Sequence, residues 1–302
     1  MKIKSGFLYF SLVLAMFFWG LTFVVFKIAY ETYQPLTIIF IRLLISVIFL
    51  FFFARILNQL QVIKRKDFHY IAILALFEPF FYFLGESYGL TYVSSTMGAV
   101  IISTIPLIVS IAAFFMYNER LTVLNWIGII ISFLGVLIVI FSSNTEFDAR
   151  LKGVILMFLA VFSAVGYGLT VKKLAHNYNG FTITAYQNLI GTILFFPLFL
   201  IFDWNKFLHT VPPMPSILSI IYLAIFGSSV TFIIFTRAVR EIGVSKANIF
   251  TNLIPVFAAL FSYLILKEPM PLLKILGIVI VLAGLIMSQF RGKVEVILHD
   301  LK

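Results

Sequence analysis

Two acids stand in this sequence where acids are expensive. Glu78 and Glu86 fall within the apolar stretch 68–90, which is long enough to cross a bilayer. A charge deep in hydrocarbon costs at least ~2.5–3.5 kcal/mol on insertion scales, so each acid needs a reason to be there. At about 100° per residue from Glu78, Tyr82 falls at about 40°, Gly85 at about −20°, Glu86 at about 80° and Gly89 at about 20°. Phe80, Phe83 and Leu84 fill the other side, with Ser87 among them. A stripe of acids, tyrosine and glycine beside a bulky apolar face belongs against a cavity or another helix, not against lipid. Counted along the helix, Glu78 lies about 15 Å from the start of the stretch, near the midplane, and Glu86 about 6 Å from its far end. Arg42, in the oppositely directed stretch 35–54, lies about 10 Å from that same far face. Depth therefore pairs Arg42 with Glu86 as a structural ion pair, with Lys27 a competitor, because buried charges are kept in pairs. Glu78 has no cation at its own level. It is a candidate to carry a coupling proton or to anchor a substrate amine; the plainer use is a neutral Glu bonded to a neighbouring helix. Pro79 follows it directly, removes a helical N–H and biases Glu78 away from the helix, so a kink here would turn a carbonyl toward a cavity.

The elements that must position these groups are membrane helices. Of 302 residues, 62% are hydrophobic and only 11% charged, and mean hydropathy is +1.10. Soluble domains run to roughly 45–50% apolar and about 25% charged. So few charges cannot cover so much apolar surface in water, which excludes a cytosolic enzyme, a nucleic-acid-binding domain and a disordered chain. The net charge of +10 then reads as Lys/Arg-rich cytoplasmic loops. There is no Cys, hence no disulfide and no thiolate metal site. His69, His176, His209 and His299 fall in loops or at the tail, and no metal, nucleotide or nucleophile-elbow motif occurs, so neither cofactor nor metal is expected. Lys2 and Lys4 precede an apolar run as in a signal peptide, but the run is too long and lacks a small-residue end; a retained first span is expected.

Ten stretches can span: 7–30, 35–54, 68–90, 93–117, 121–142, 152–172, 181–202, 215–237, 244–266 and 271–290. They are called spans one to ten below. Placing both termini in the cytoplasm puts most Lys and Arg there, Lys64-Arg65-Lys66 foremost, and the expected location is the cell (inner) membrane. The loops leave no room for a soluble domain.

The halves 1–146 and 147–302 resemble each other. Tyr92–Phe141 aligns with Glu241–Phe290 at one offset, matching Pro106 with Pro255, Glu119 with Glu268, Gly128 with Gly277 and Gly135 with Gly284. Trp19-Gly20 likewise matches Tyr167-Gly168, and Thr37-Ile38 matches Thr182-Ile183. Each half holds five spans. An odd number forces the second half to enter the membrane upside down relative to the first. Inverted repeats of this kind place a binding site near the midplane, at the repeat interface, and are a transporter architecture.

The pattern resembles the drug/metabolite transporter superfamily, specifically the EamA family. The resemblance rests on the ten spans, the duplication and the signature of the fourth and fifth spans of each half. That signature reads Pro106…Glu119-Arg120…Gly128…Gly135 and again Pro255…Glu268-Pro269…Gly277…Gly284; Trp19-Gly20 and Pro35…Arg42 also fit. It implies an all-α membrane fold of two inverted five-helix repeats and a central cavity lined by spans one, three, four, six, eight and nine. It also implies peripheral spans five and ten, which often form a homodimer contact. The implied activity is export, sometimes import, of amino acids, other metabolites or drugs. Pro269 stands where the first half has Arg120, so any role of that Arg is not shared.

Other residues in the spans carry two readings each. In span nine, Ser245, Asn248, Asn252 and Pro255 form a stripe with Thr251 beside it, and the first half offers Thr96, Ala99, Ser103 and Pro106. Substrate contact and interhelical hydrogen bonding both fit, and both fit Gln187-Asn188 of span seven as well. Trp19 lies at mid-depth rather than at an interface, and its counterpart Tyr167 is aromatic; the pair suits a gate or a cation–π face, or simple packing beside Gly20 and Gly168. Glu119 and Glu268 stand at span ends, where capping is the expected role. The gathered expectation is a secondary transporter of small organic solutes, with sites at Glu78, Tyr82, Glu86, Trp19, Asn248, Asn252, Thr251, Tyr167 and Ser103. A flippase for lipid-linked or polymer precursors shares the same fold logic. An embedded enzyme would need a nucleophile, base or metal set that the spans do not contain. Small solute and bilayer are the partners expected, without nucleic acid.

Overall fold

The computed structural model describes residues 5–117, 121–142 and 146–289. Ten helices are long and apolar enough to cross a membrane: Gly6–Tyr30, Pro35–Ile56, Arg65–Tyr92, Ser95–Ala112, Val123–Phe141, Phe147–Ala175, Gly180–Phe202, Met214–Ile242, Lys246–Leu264 and Leu272–Gln289. No strand occurs among the described residues. Spans six and eight run past the apolar windows expected for them. Their extra turns carry Asp148, Arg150, Arg240 and Glu241, charges that hydropathy cannot assign to a span but a helix outside the hydrocarbon accepts. Helix starts follow local chemistry. Pro35 opens span two, and Ser94 and Asn179 accept the backbone N–H of Met97 and Thr182. Thr122 and Asn125 cap each other's backbone at span five.

The contacts carry the duplication into three dimensions. Spans five and ten pack against each other, and spans two and seven do the same. Span three packs on span six as span eight packs on span one, and span four meets span six as span nine meets span one. Every pair thus maps onto itself or onto its counterpart when the halves are exchanged, as an in-plane pseudo-two-fold axis requires.

The repeated glycines have one purpose. A Cβ on Gly128 or Gly284 would collide with the backbone of the opposite helix at Ser288 or Ser132, and one on Gly135 or Gly277 with Val281 or Val139. Spans five and ten therefore approach backbone to backbone within one chain, the close approach that small residues permit where lipid offers no hydrophobic drive. Their other faces, Ile130, Leu134 and Leu137 on one and Leu276, Val279 and Ile286 on the other, are exposed on the surface.

The third and fourth spans of each half are not continuous helices. Span three widens between Leu76 and Phe81, and span eight between Leu223 and Val230. Span four breaks between Ile102 and Ile105, and span nine tightens over Phe250–Leu253. These breaks surround the centre of the bundle.

Candidate functional site

Glu78 sits in the break of span three with φ −146° and ψ 118°, an extended residue inside a helix. Pro79 cannot continue the ladder, and its ring fills a place beside Gly191 of span seven that a Cβ there would occupy. The break turns Glu78 into a cavity between the two halves. Trp19, Thr22, Arg42, Glu78, Tyr82, Phe83, Glu86 and Ile105 line it from the first half; Tyr167, Gly168, Gly227, Phe232, Phe235, Asn248 and Thr251 line it from the second. Among the described residues, spans five, seven and ten contribute nothing to the lining. Arg42 adds span two to the six expected.

Span three divides its polar stripe between two tasks. Gly85 and Gly89 lie against span six, where a Cβ would meet the Leu156 and Ala160 backbone or Met157. Glu78, Tyr82 and Glu86 are left to the cavity. Arg42 Nη1 lies 3.9 Å from Glu86 Oε2, and both side chains are buried. Tyr82 donates its hydroxyl to Glu86 Oε1 at 3.1 Å. The guanidinium stacks on Phe83, 3.8 Å from the ring centroid, and its Nε donates to Ser228 Oγ at 2.9 Å. Glu86 is thus held by two partners, and Arg42 ties span three to span eight. Lys27 stands beside Glu268 instead of competing for Glu86. Glu78 feels both Arg42 and Glu86 through space but makes no hydrogen bond or ion pair among the described residues. Among the described residues the cavity lining holds two acids and one base, and the acid left without a partner is Glu78.

Trp19 and Tyr167 share Phe232 as a neighbour. Both meet its ring edge-to-face, at 5.2 Å and 5.9 Å between centroids. Trp19 Nε1 also donates to the Gly227 carbonyl at 3.3 Å. Asn248 and Thr251 reach the cavity, whereas Asn252 and Ser103 do not. The tight turn at Phe250–Leu253 swings Asn252 toward span ten, where its Nδ2 donates to Gln289 at 3.1 Å. Ser103 is fully buried and donates to the Val100 carbonyl within its own helix. Glu268 accepts from Ser95 N and Thr96 Oγ1, each at 2.9 Å, capping span four across the repeat boundary. Glu119 and Arg120, the first-half members of that signature, lie outside the described residues, as does the Ser245 side chain.

Behind the site stands a buttress of which the sequence had marked only Asn188, as fit for substrate contact or interhelical hydrogen bonding. Asn188 donates to Ser46 Oγ at 2.8 Å and to the Ser228 carbonyl at 2.7 Å, and Ser46 shares a 2.7 Å hydrogen bond with Ser229. These groups satisfy the backbone freed by the wide turn of span eight, as hydrocarbon depth demands. The three serines were not anticipated, and an adjacent pair at 228 and 229 was their one signal. Phe232 and Phe235 were missed because nothing separates them from the other phenylalanines in a chain with 36.

The EamA-like transporter family model matches residues 6–141 and again 151–290. The uncharacterized transporter YetK of Bacillus subtilis is 27% identical over 289 residues, covering 94% of this chain and 87% of that one. An uncharacterized transporter of Archaeoglobus fulgidus is 29% identical over 274 residues, covering 91% and 95%. A crystal structure with 12% identity superposes with a TM-score of 0.72 over 94% of this chain and 98% of the other, which attests the fold. With ten apolar helices, an inverted duplication and a family match to each half, the chain belongs to the EamA-like transporter family.

Proposed function

We propose that this protein moves small organic metabolites, amino acids or drugs among them, out across the cell membrane by alternating access, with Glu78 binding either a proton or the amine of the solute. Both termini lie on the cytoplasmic side in this reading, where most of the Lys and Arg then fall. One observation carries it: a buried carboxyl without a protein partner, set in a helix break, facing a cavity that both halves enclose. Such a group exchanges its proton for a cation as the two halves rock about it. Trp19, Tyr82, Tyr167 and Phe232 around it offer faces to an ammonium group and apolar cover to the rest of a solute. The energy comes from an ion or solute gradient, since no nucleotide-binding motif is present in the sequence. A homodimer through spans five and ten would use their outward apolar faces, because the glycine faces are already joined within the chain.

The test is flux in proteoliposomes, after a thermal-shift screen over amino acids, nucleosides, sugars and cationic drugs has chosen the solute. Glu78→Gln is expected to abolish the dependence of flux on a pH gradient. A mutant whose flux responds to pH as the parent does would remove Glu78 from the mechanism.

A further inference from the structure

Contacts that an inverted duplication supplies twice divide into two kinds. Some are present in both copies. The rings of Phe18 in span one and Phe226 in span eight lie 4.5 Å apart between centroids. The residues aligned with them are Gly166 in span six and Phe77 in span three, and a Cβ on Gly166 would press into the Phe77 ring. Another contact is made once. A Cβ on Gly20 would meet Phe257 Cβ at 2.6 Å, the Ala258 backbone N at 3.1 Å and the Ile254 carbonyl oxygen at 3.2 Å. Span one therefore lies against the backbone of the second segment of span nine, 254–264. The aligned glycine of span six is Gly168, and the aligned segment of span four, 105–117, holds Ile105, Ile108 and Val109. A Cβ on Gly168 would touch none of these. Among the described residues one atom lies within 4 Å of it, Val244 Cγ1 at 3.7 Å, an ordinary contact distance. Gly168 and Ile105 both line the central cavity, which occupies the place of the missing contact. Packing in this conformation thus requires a glycine at 20 and requires none at 168.

We propose that Gly168 is the seat of a gate that this conformation leaves open: the segment 105–117 of span four closes on Gly168 when the segment 254–264 of span nine lifts off Gly20. Spans four and nine are equivalent elements of inverted repeats, so these two segments lead to opposite faces of the membrane. Rocking the halves about the midplane parts one segment from its glycine as it brings the other down. Span four has the means to swing, because its helix is interrupted between Ile102 and Ile105. Each glycine admits the backbone of the facing helix, the close approach that small residues permit. The contacts present in both copies, Phe18 with Phe226 and Gly166 with Phe77, are the fixed part against which the segments move. The gate rests on the alternating-access reading above and names the residue on which one of its two states closes.

The sequence holds no cysteine, so a single introduced one is an unambiguous reporter. Ala164→Cys places it in the cavity lining, about one turn from Gly168. A membrane-impermeant maleimide is applied to the full-length protein from outside in intact cells and from the cytoplasmic side in inside-out vesicles. With both glycines in place, labelling is expected from both faces. In Gly168→Ala the added methyl fits this conformation and collides with span four in the closed one. Labelling from the face to which 105–117 leads, cytoplasmic in the orientation proposed above, is expected to stay, and labelling from the other face to fall about tenfold or more. The unfolding temperature is expected to match the parent's. Gly20→Ala, whose methyl collides in this conformation, is expected to bias labelling the opposite way. No solute is present, so a methyl that merely crowds the solute would leave labelling as in the parent. Labelling from both faces in Gly168→Ala, a lowered unfolding temperature there, or the same bias in both glycine variants would overturn the gate and leave alternating access standing. A cavity cysteine labelled from a single face in the parent would overturn alternating access itself.

Discussion

Spans three and eight are the same element of the two repeats, and both are broken at the same place. The means differ. In span three, Pro79 removes a backbone N–H, and the residue before it presents a carboxyl to the cavity. In the break of span eight there is no proline, and Gly227 occupies the position aligned with Glu78. Its loosened carbonyls are taken up by side chains instead: Gly227 by Trp19, Ser228 by Asn188 and Ser46, Ala224 by Ser229. One break holds a free acid, and the other is saturated with donors. Duplication supplied the hinge twice and the chemistry once.

Arg42 is the place to break the comparison, because it joins span three to the break of span eight through Glu86 and Ser228. Arg42→Ala leaves Glu86 buried without its cation and is expected to cost about 3–5 kcal/mol, the largest loss among these variants. Thermal unfolding in nanodiscs reads it directly. Arg42→Met combined with Glu86→Leu is expected to recover most of the loss, since a buried pair replaced by apolar side chains of similar volume is often neutral. A double variant as unstable as the single one would mean that Arg42 acts through Ser228 and not through the acid.

A smaller change sharpens the difference between the hinges. Asn188 aligns with Leu43, so Asn188→Leu gives the second half the residue that the first half already has. It removes two hydrogen bonds and deprives the Ser228 carbonyl of its main donor, at an expected cost of about 1–2 kcal/mol, near the upper range for membrane hydrogen bonds. Hydrogen exchange of the amides in 223–230 should rise while that of 76–81 stays level. Equal change in both segments would show the hinges to be coupled more tightly than their contacts imply.

What the sequence made legible followed from what each signal depends on. Spans, parity and duplication depend on composition and spacing, and those survive folding; hence the ten helices and the pairing of halves could be read beforehand. Glu78, Glu86 and Arg42 stood out because charge in hydrocarbon is conspicuous at any register. Asn252 did not end in the cavity, because the tightened turn at Phe250–Leu253 shifts the helical register by an amount that 100° per residue cannot anticipate. Asn188 was marked, but the buttress it forms with Ser46, Ser228 and Ser229 was hidden for another reason. Its members are uncharged, occupy three spans, and matter only because the span eight backbone is open where they meet. The glycines of spans five and ten were visible as a repeat, but whether they served a contact within the chain or between chains was a question of geometry alone.

The finest probe lies in the aromatic pair, where symmetry and function can be told apart. Trp19 and Tyr167 occupy equivalent places and share Phe232, but their polar atoms differ in circumstance. The Trp19 N–H is bound to the Gly227 carbonyl, and the Tyr167 hydroxyl faces Thr236 and Gln187 without a well-aligned hydrogen bond. Trp19→Phe keeps a ring against Phe232 and loses one interhelical hydrogen bond, so a cost of about 0.6 kcal/mol is expected. Tyr167→Phe keeps its ring too and gives up only the poorly aligned contacts to Thr236 and Gln187, so its expected effect on unfolding is smaller still. The two substitutions remove comparable polar atoms from matched positions and should differ in cost. Equal destabilisation by both in thermal unfolding would show that the two matched polar atoms serve the fold alike, in spite of their different partners.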